Sequence, residues 1–88
     1  MLDREEAARS AQKFLDEKVS HADMTFALAE GEHAQVGSTF YFGCQSVAYL
    51  RSGDFRDMAV GTGYVCVDGA TGRCRMLGAT ESARLALF

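Results

Sequence analysis

The stretch that decides the fold is YVCVDGATGRCRML, residues 64–77, in which two β-prone runs flank a polar turn. Asp68 can accept hydrogen bonds from the turn amides, and Gly72 can take the left-handed conformation that a four-residue turn requires. If Asp68 pairs with Arg73, the inner face is apolar and consists of Val65, Val67, Cys74 and Met76. The outer face then carries Cys66, Asp68, Arg73 and Arg75. The stretch predicts a β-hairpin whose inner face must be covered by another element.

The N-terminal segment is predicted to be the element that covers the inner face of the hairpin. Asp3 is a good helix N-cap, and Glu6 three residues later completes a capping-box pair. Apolar residues recur at helical spacing, at Ala7, Ala8, Ala11, Phe14, Leu15 and Val19. We expect an amphipathic helix over about residues 3–18.

Between these segments the hydrophobic period is two, which is typical of strands. Residues 24–29 and 39–45 predict strands joined by a polar connection over 30–38. Further turns are expected at Gly53 and at the bend that contains Gly61 and Gly63, and a final helix over 81–88 with Thr80 as its cap. The order predicts an α+β fold in one domain, residues 1–88, with the N-terminal helix packed on a four-stranded antiparallel meander and a short C-terminal helix.

The composition and charge of the chain argue against several classes of function. The 88 residues carry a net charge of −3 and an isoelectric point near 5.2, which speaks against a nucleic-acid partner. No apolar run reaches the ~20 residues of a membrane helix, and the charged first residues do not resemble a secretory signal. Three cysteines without Cys-x-x-Cys spacing favour free thiols over a disulfide or a zinc site. We therefore expect a cytoplasmic protein with neither a metal nor a cofactor.

No residue pattern indicates catalysis. The Gly61-Thr62-Gly63 segment lacks the lysine and the following helix of a phosphate-binding loop. The two histidines, His21 and His33, have no evident nucleophile beside them in the sequence. We expect no catalytic residues and a protein that acts by binding.

Charge and aromatic residues suggest where a partner binds. Residues 1–32 contain eight acidic and four basic side chains, a local charge of −4, which indicates either a solvated helix face or a surface for a basic partner. Loops carry binding residues disproportionately often, so the predicted contact residues are the acids Glu30, Glu32, Asp54 and Asp57 with the aromatic anchors Tyr41 and Phe55. The N-terminal helix and the outer sheet face are alternatives.

Taken together, the N-terminal helix, the aromatic strand and the glycine-rich segments resemble the immunity protein 35 family over nearly the whole chain. The matching residues are Tyr49, Leu50, Gly53, Asp54, Gly61, Gly63, Val67, Asp68, Thr71, Gly72, Leu77 and Gly78. Two departures are Tyr64, where members commonly have proline, and the absence of tryptophan.

The resemblance implies an immunity protein, encoded beside a secreted bacterial toxin, that binds and blocks this cognate toxin domain in the producing cell. The alternative is a small chaperone-like protein that holds unfolded chains. The matching residues have structural roles in turns, so the resemblance implies no catalytic site. Toxin class and oligomeric state stay open.

Overall fold

The computed structural model describes residues 1–59 and 62–87 and confirms the α+β fold. Four antiparallel strands form one sheet in the order β1-β2-β3-β4. The elements are α1 (Arg4–Phe14), a π-helical turn (Leu15–Val19), β1 (Phe26–Val36), β2 (Thr39–Ser46), α2 (Val47–Ser52), a 3-10 turn (Phe55–Asp57), β3 (Thr62–Asp68), β4 (Cys74–Gly78) and α3 (Ala79–Leu85). As expected, helices flank the meander at both ends of the chain.

Helix α1 begins at the predicted capping box. The Asp3 carboxylate accepts the Glu6 N–H at 2.8 Å, and the Glu6 carboxylate accepts the Asp3 N–H at 3.0 Å. The helix, with the first residue of the π-helical turn, buries Ala7, Ala11 and Leu15 completely against the inner sheet face. The sheet contributes Phe26, Phe40, Phe42, Cys44, Val65 and Val67 to this core. Two alanines at the contact bring the helix close to the sheet, and removing this apolar surface from water stabilises the fold.

The β3–β4 hairpin has the predicted register. Val65 lies opposite Met76 and Val67 opposite Cys74, and all four side chains belong to the core or pack against it. In the turn, the Asp68 carboxylate accepts the Ala70 N–H at 2.8 Å. Gly72 has a φ of +78°, the left-handed conformation that the turn chemistry predicts.

The predicted connection over 30–38 is wrong, because β1 continues to Val36. Leu28 pairs with Cys44 and His33 with Phe42, so residues 29–32 bulge out opposite the single residue Gly43. Such an insertion is tolerated at a sheet edge, where the extra residues need no second neighbouring strand. The polar residues after the bulge read as a loop in the sequence because this edge of the sheet is solvated.

Gly63 lies within β3 and not in a bend, and Gly61 is outside the described residues. A Cβ atom at Gly63 would overlap the carbonyl oxygen of Leu77 and the hydroxyl of Ser82, and it would lie 2.7 Å from the carbonyl oxygen of Gly78. The glycine is therefore needed for close approach of the start of α3 to β3, where the Ser82 hydroxyl accepts the Tyr64 N–H at 2.9 Å.

The C-terminal helix also begins earlier than predicted. It starts at Ala79 directly after β4, with Gly78 as its N-cap residue. Thr80 therefore lies inside the first turn and does not cap the helix. Phe88, the last residue of the predicted helix, is outside the described residues.

Replacing Gly63 by alanine should destabilise the fold by about 2 kcal/mol or more, because the added methyl group meets backbone atoms that cannot move independently. Gly78→Ala is the matched control, since a Cβ at Gly78 has no atom within 4 Å, and it should lose less than ~1 kcal/mol. Urea unfolding of both variants measures the difference. Equal stabilities would show that β3 and α3 do not approach as described.

The three cysteines should all titrate as free thiols in the unfolded chain, because Cys44, Cys66 and Cys74 are unpaired. In the native protein Cys44 should react last with an alkylating reagent at pH 8. Burial, with a smaller contribution from Glu32, raises the pKa of its thiol to about 11, so little thiolate is present. Mass spectrometry during a labelling time course measures the order. Modification of Cys44 before Cys74 would contradict the prediction.

Candidate interaction surfaces

The structure distributes the six predicted contact residues over three places. Glu30 and Glu32 lie in the β1 bulge, Tyr41 lies on β2, and the group Asp54, Phe55 and Asp57 follows α2. The acids of the bulge, Tyr41 and Asp57 line three different depressions. The predicted residues therefore do not form one continuous site, and each surface is considered separately.

The first surface is a groove between α1 and the β1 bulge, with a volume of about 300 Å³. Its lining includes the apolar residues Ala8, Leu28 and Phe42 and the acids Glu5, Glu30 and Glu32. The bulge folds Glu32 against the backbone of Gly43. A Cβ atom added to Gly43 would lie 2.8 Å from the Cβ atom of Glu32. Glu32 is thus held close to the sheet, although both Glu30 and Glu32 remain exposed.

The second surface is the segment 53–59, here called the Phe55 loop. It begins at Gly53, which ends α2 with a φ of +70°. The Asp54 carboxylate accepts the Arg56 N–H at 2.9 Å and forms an ion pair with the Arg56 guanidinium at 2.7 Å. These bonds hold the pKa of Asp54 below its usual value. The Asp54 carboxylate is therefore engaged by Arg56 within the loop.

Polar side chains at the end of β2 fasten the Phe55 loop to the sheet. The Gln45 amide accepts the Ala59 N–H at 2.7 Å and donates to the Ala59 carbonyl at 3.2 Å, so it holds both backbone groups of one residue. The hydroxyl of Ser46, which is 1% exposed, donates to the Asp57 carbonyl. The Ser52 hydroxyl donates to the Asp57 carboxylate at 2.7 Å.

Sequence reasoning did not single out Gln45 or Ser46. Ser46 carries a recognisable signal, because it precedes a short helix and caps it by accepting the Tyr49 N–H at 3.1 Å. Nothing in the sequence indicates that the Gln45 amide reaches a residue 14 positions away. Its role appears only when β2 and the loop are placed together.

The fastened loop presents an apolar side chain to solvent. Phe55 is 79% exposed, and its ring lies 6.5 Å from that of Tyr49 in a stacked arrangement. A phenylalanine this exposed contributes little to the core, yet its backbone is held in place by the surrounding hydrogen bonds. The Phe55 ring is therefore exposed on a segment whose backbone is already ordered.

The third surface is the sheet face opposite α1, here called the open face. It consists of two rows of residues that run across the strands. One row is Ala34, Tyr41, Cys66 and Arg75, and the other is Val36, Thr39, Asp68 and Arg73. Tyr41 also makes an edge contact with Tyr64, at 6.4 Å between ring centroids. This face matches the outer hairpin face that the register predicted.

A depression of about 470 Å³ lies on the open face, over Tyr41, Cys66 and the two arginines. Arg75 is 3.6 Å from the Glu81 carboxylate, and both side chains remain about half exposed or more. Burial raises the pKa of the Cys66 thiol, so it is a poor nucleophile at neutral pH. The chemistry available on the open face is therefore hydrogen bonding, aromatic contact and binding of anionic groups.

Across residues 1–59 and 62–87, no three His, Cys, Asp or Glu side chains are placed to hold a metal ion. Among the described helices, none has the length and apolarity that crossing a membrane requires.

The sequence matches the model of a known protein family. The family model described as Immunity protein 35 matches residues 5–86 of the chain. Neither the curated proteins nor the solved structures contain a significant match. The matched range includes all three surfaces.

Replacing Gln45 by alanine should loosen the Phe55 loop, because the Ala59 N–H loses its acceptor. Hydrogen exchange at the Ala59 amide should become about tenfold faster or more, since exchange reports local opening. Gln35→Ala is the matched control, because the Gln35 side chain is exposed and donates to the carbonyl of the nearby Gly37. An unchanged rate at Ala59 in Gln45→Ala would show that the amide does not fasten the loop.

Proposed function

This chain belongs to the immunity protein 35 family, and we propose that it binds a cognate bacterial toxin domain and neutralises it by covering the toxin's active site. In this proposal the protein acts by binding alone, in the cytoplasm of the cell that makes the toxin. The observation that carries the proposal is the Phe55 loop, which is fastened to the sheet while its phenylalanine is exposed.

The physical argument rests on preorganisation. Association normally orders loops and side chains at the interface, and this ordering opposes binding. Here the hydrogen bonds from Gln45, Ser46 and Ser52 have already ordered the loop. Phe55 can therefore enter an apolar pocket of a partner with little further loss of backbone entropy. Large side chains of this kind, seated in a desolvated pocket, supply most of the affinity of many interfaces.

Tight binding is needed because free toxin must be kept very low. A nanomolar dissociation constant corresponds to about −12 kcal/mol, and a standard interface covers roughly 800 Å² on each partner. The accessible surface of this protein is 5594 Å². An interface of standard size centred on Phe55 would therefore occupy only a limited part of the molecule, and the loop is suited to be its anchor.

The distribution of exposed apolar side chains favours one specific partner over many unfolded clients. Within residues 1–59 and 62–87, the large exposed ones are Met1, Val36, Leu50, Phe55 and Leu85. They lie on different elements, and exposed apolar residues that are scattered singly are normal for a soluble protein. A chaperone-like surface would instead call for a broad apolar patch.

Glu30 and Glu32 have a separate role in this proposal. Both lie at the edge of the sheet, within the acidic part of the chain. Such charges accelerate the encounter with a basic partner and affect dissociation less. Asp54 and Asp57 instead hold the Phe55 loop in shape, and Tyr41 belongs to the open face.

The test uses the toxin domain encoded beside this chain. Phe55→Ala should weaken its binding by about 2 kcal/mol, roughly 30-fold in Kd, through faster dissociation. Leu85→Ala is the matched control, because Leu85 is exposed and lies on α3; it should bind like the parent. Binding kinetics, melting temperature and protection of toxin-expressing cells are measured for each variant.

Two results would contradict the proposal. Failure of the parent protein to bind or protect against the adjacent toxin would exclude neutralisation. Binding of Phe55→Ala with the parent's dissociation rate would exclude the Phe55 loop as the anchor. Rescue of unrelated aggregating proteins by the parent, without saturable toxin binding, would favour the chaperone-like alternative.

A further inference from the structure

We infer that the open face binds an extended segment of the partner toxin that carries an aspartate or glutamate side chain, with its carboxylate held by Arg73 and Arg75. This inference rests on the proposed function and assigns the open face, in addition to the Phe55 loop, to the contact with the toxin.

The two arginines share one face at the edge of the sheet. Arg75 lies opposite Cys66, and the Arg73 carbonyl accepts the Asp68 N–H, so both belong to the rows of the open face. Residues two apart on a strand are about 7 Å from each other. The flexible arginine side chains can therefore converge on one carboxylate, which guanidinium groups bind through paired hydrogen bonds.

The open face has arginine side chains that are available to bind an anion. Arg73 has no carboxylate within ion-pair distance in the described part of the chain, and Arg75 has Glu81 at 3.6 Å. The Asp68 carboxylate is engaged by the Ala70 N–H in the turn. Two exposed guanidinium groups thus lie beside two acids, Asp68 and Glu81, and in the described part of the chain only Arg75 is within ion-pair distance of one of them, so the Arg73 guanidinium remains available to an anion.

The two rows are apolar at β1 and basic at β4. Val36, which is 54% exposed, and Ala34 lie on β1, and Thr39 and Tyr41 follow on β2. Asp68 and Cys66 lie on β3, Arg75 lies on β4, and Arg73 directly precedes β4. Three interstrand steps span about 14 Å, which is the length of roughly four residue steps of an extended chain. The face therefore fits a segment of five residues with an apolar side chain at one end and an acid at the other. Tyr41 supplies the aromatic contact between them.

The first experiment needs no toxin. The acetylated, amidated pentapeptide Leu-Ser-Thr-Ser-Glu is titrated into the isotopically labelled protein and followed through its amide NMR signals. The Glu peptide should shift the signals of Tyr41, Cys66 and Arg75, and the same peptide ending in lysine should bind at least fivefold more weakly. The double variant Arg73→Gln/Arg75→Gln should lose this preference.

Arg9→Gln/Lys13→Gln is the matched control, because it removes two positive charges from the exposed side of α1; it should retain the preference. The inference is overturned if the shifts lie elsewhere, if no shift occurs at millimolar peptide, or if both peptides bind equally. Stronger binding of a single-stranded DNA oligonucleotide at the same signals would also overturn it, because the site would then recognise phosphates.

The second experiment separates this inference from the proposed function. With the adjacent toxin, Arg73→Gln/Arg75→Gln should weaken binding about tenfold or more, and a charge reversal at the matching toxin acid should be rescued by Arg75→Glu. If the parent protects cells and the arginine variant protects equally well, the inference fails and neutralisation stands. If the parent does not bind the toxin but selects the Glu peptide on the open face, neutralisation fails and the acid-binding site stands.

Discussion

Burial of one face of the sheet beneath α1 is the interaction on which the rest of the structure depends. Ala7, Ala11 and Leu15 are completely buried against the sheet, and the small alanine side chains bring the helix close to it. A chain of 88 residues has material for one such core and little more. The inner face therefore takes up the apolar side chains of the core cluster, and the outer face and the ends of the strands make polar contacts.

The polar contacts at the ends of the strands place the candidate anchor. Gln45 and Ser46 lie at the end of β2 and satisfy backbone groups of the segment after α2. Without these bonds, a segment with few apolar contacts would sample many conformations. With these bonds, the Phe55 loop is held in one conformation by the sheet, although the loop has no hydrophobic core of its own. Membership of the immunity protein 35 family gives this arrangement its proposed use, since a neutralising protein must bind its toxin tightly.

The bulge in β1 and the open face show two ways in which the sheet displays charge. At the edge, four residues opposite Gly43 bring Glu30 and Glu32 beside α1. On the open face, regular alternation brings side chains from all four strands into rows that end at Arg73 and Arg75. The bulge thus presents two acids together at one edge of the sheet, whereas the arginines lie together at the opposite edge.

Local patterns in the sequence were enough to predict the capping box of α1, the register of the β3–β4 hairpin and the order of the four strands, because these features depend on residues close together in the chain; the short helix α2 was not predicted. The end of β1, the position of Gly63 and the start of α3 were predicted wrongly. Each depends on a partner distant in sequence: β2 pairs with the polar half of β1, and the backbone before Ser82 approaches Gly63.

For the same reason the sequence could suggest Tyr41 and Phe55 as contact residues but not their separation on different surfaces. Only the tertiary structure decided that Gln45 fastens the Phe55 loop, because this hydrogen bond joins residues 14 positions apart that folding brings together.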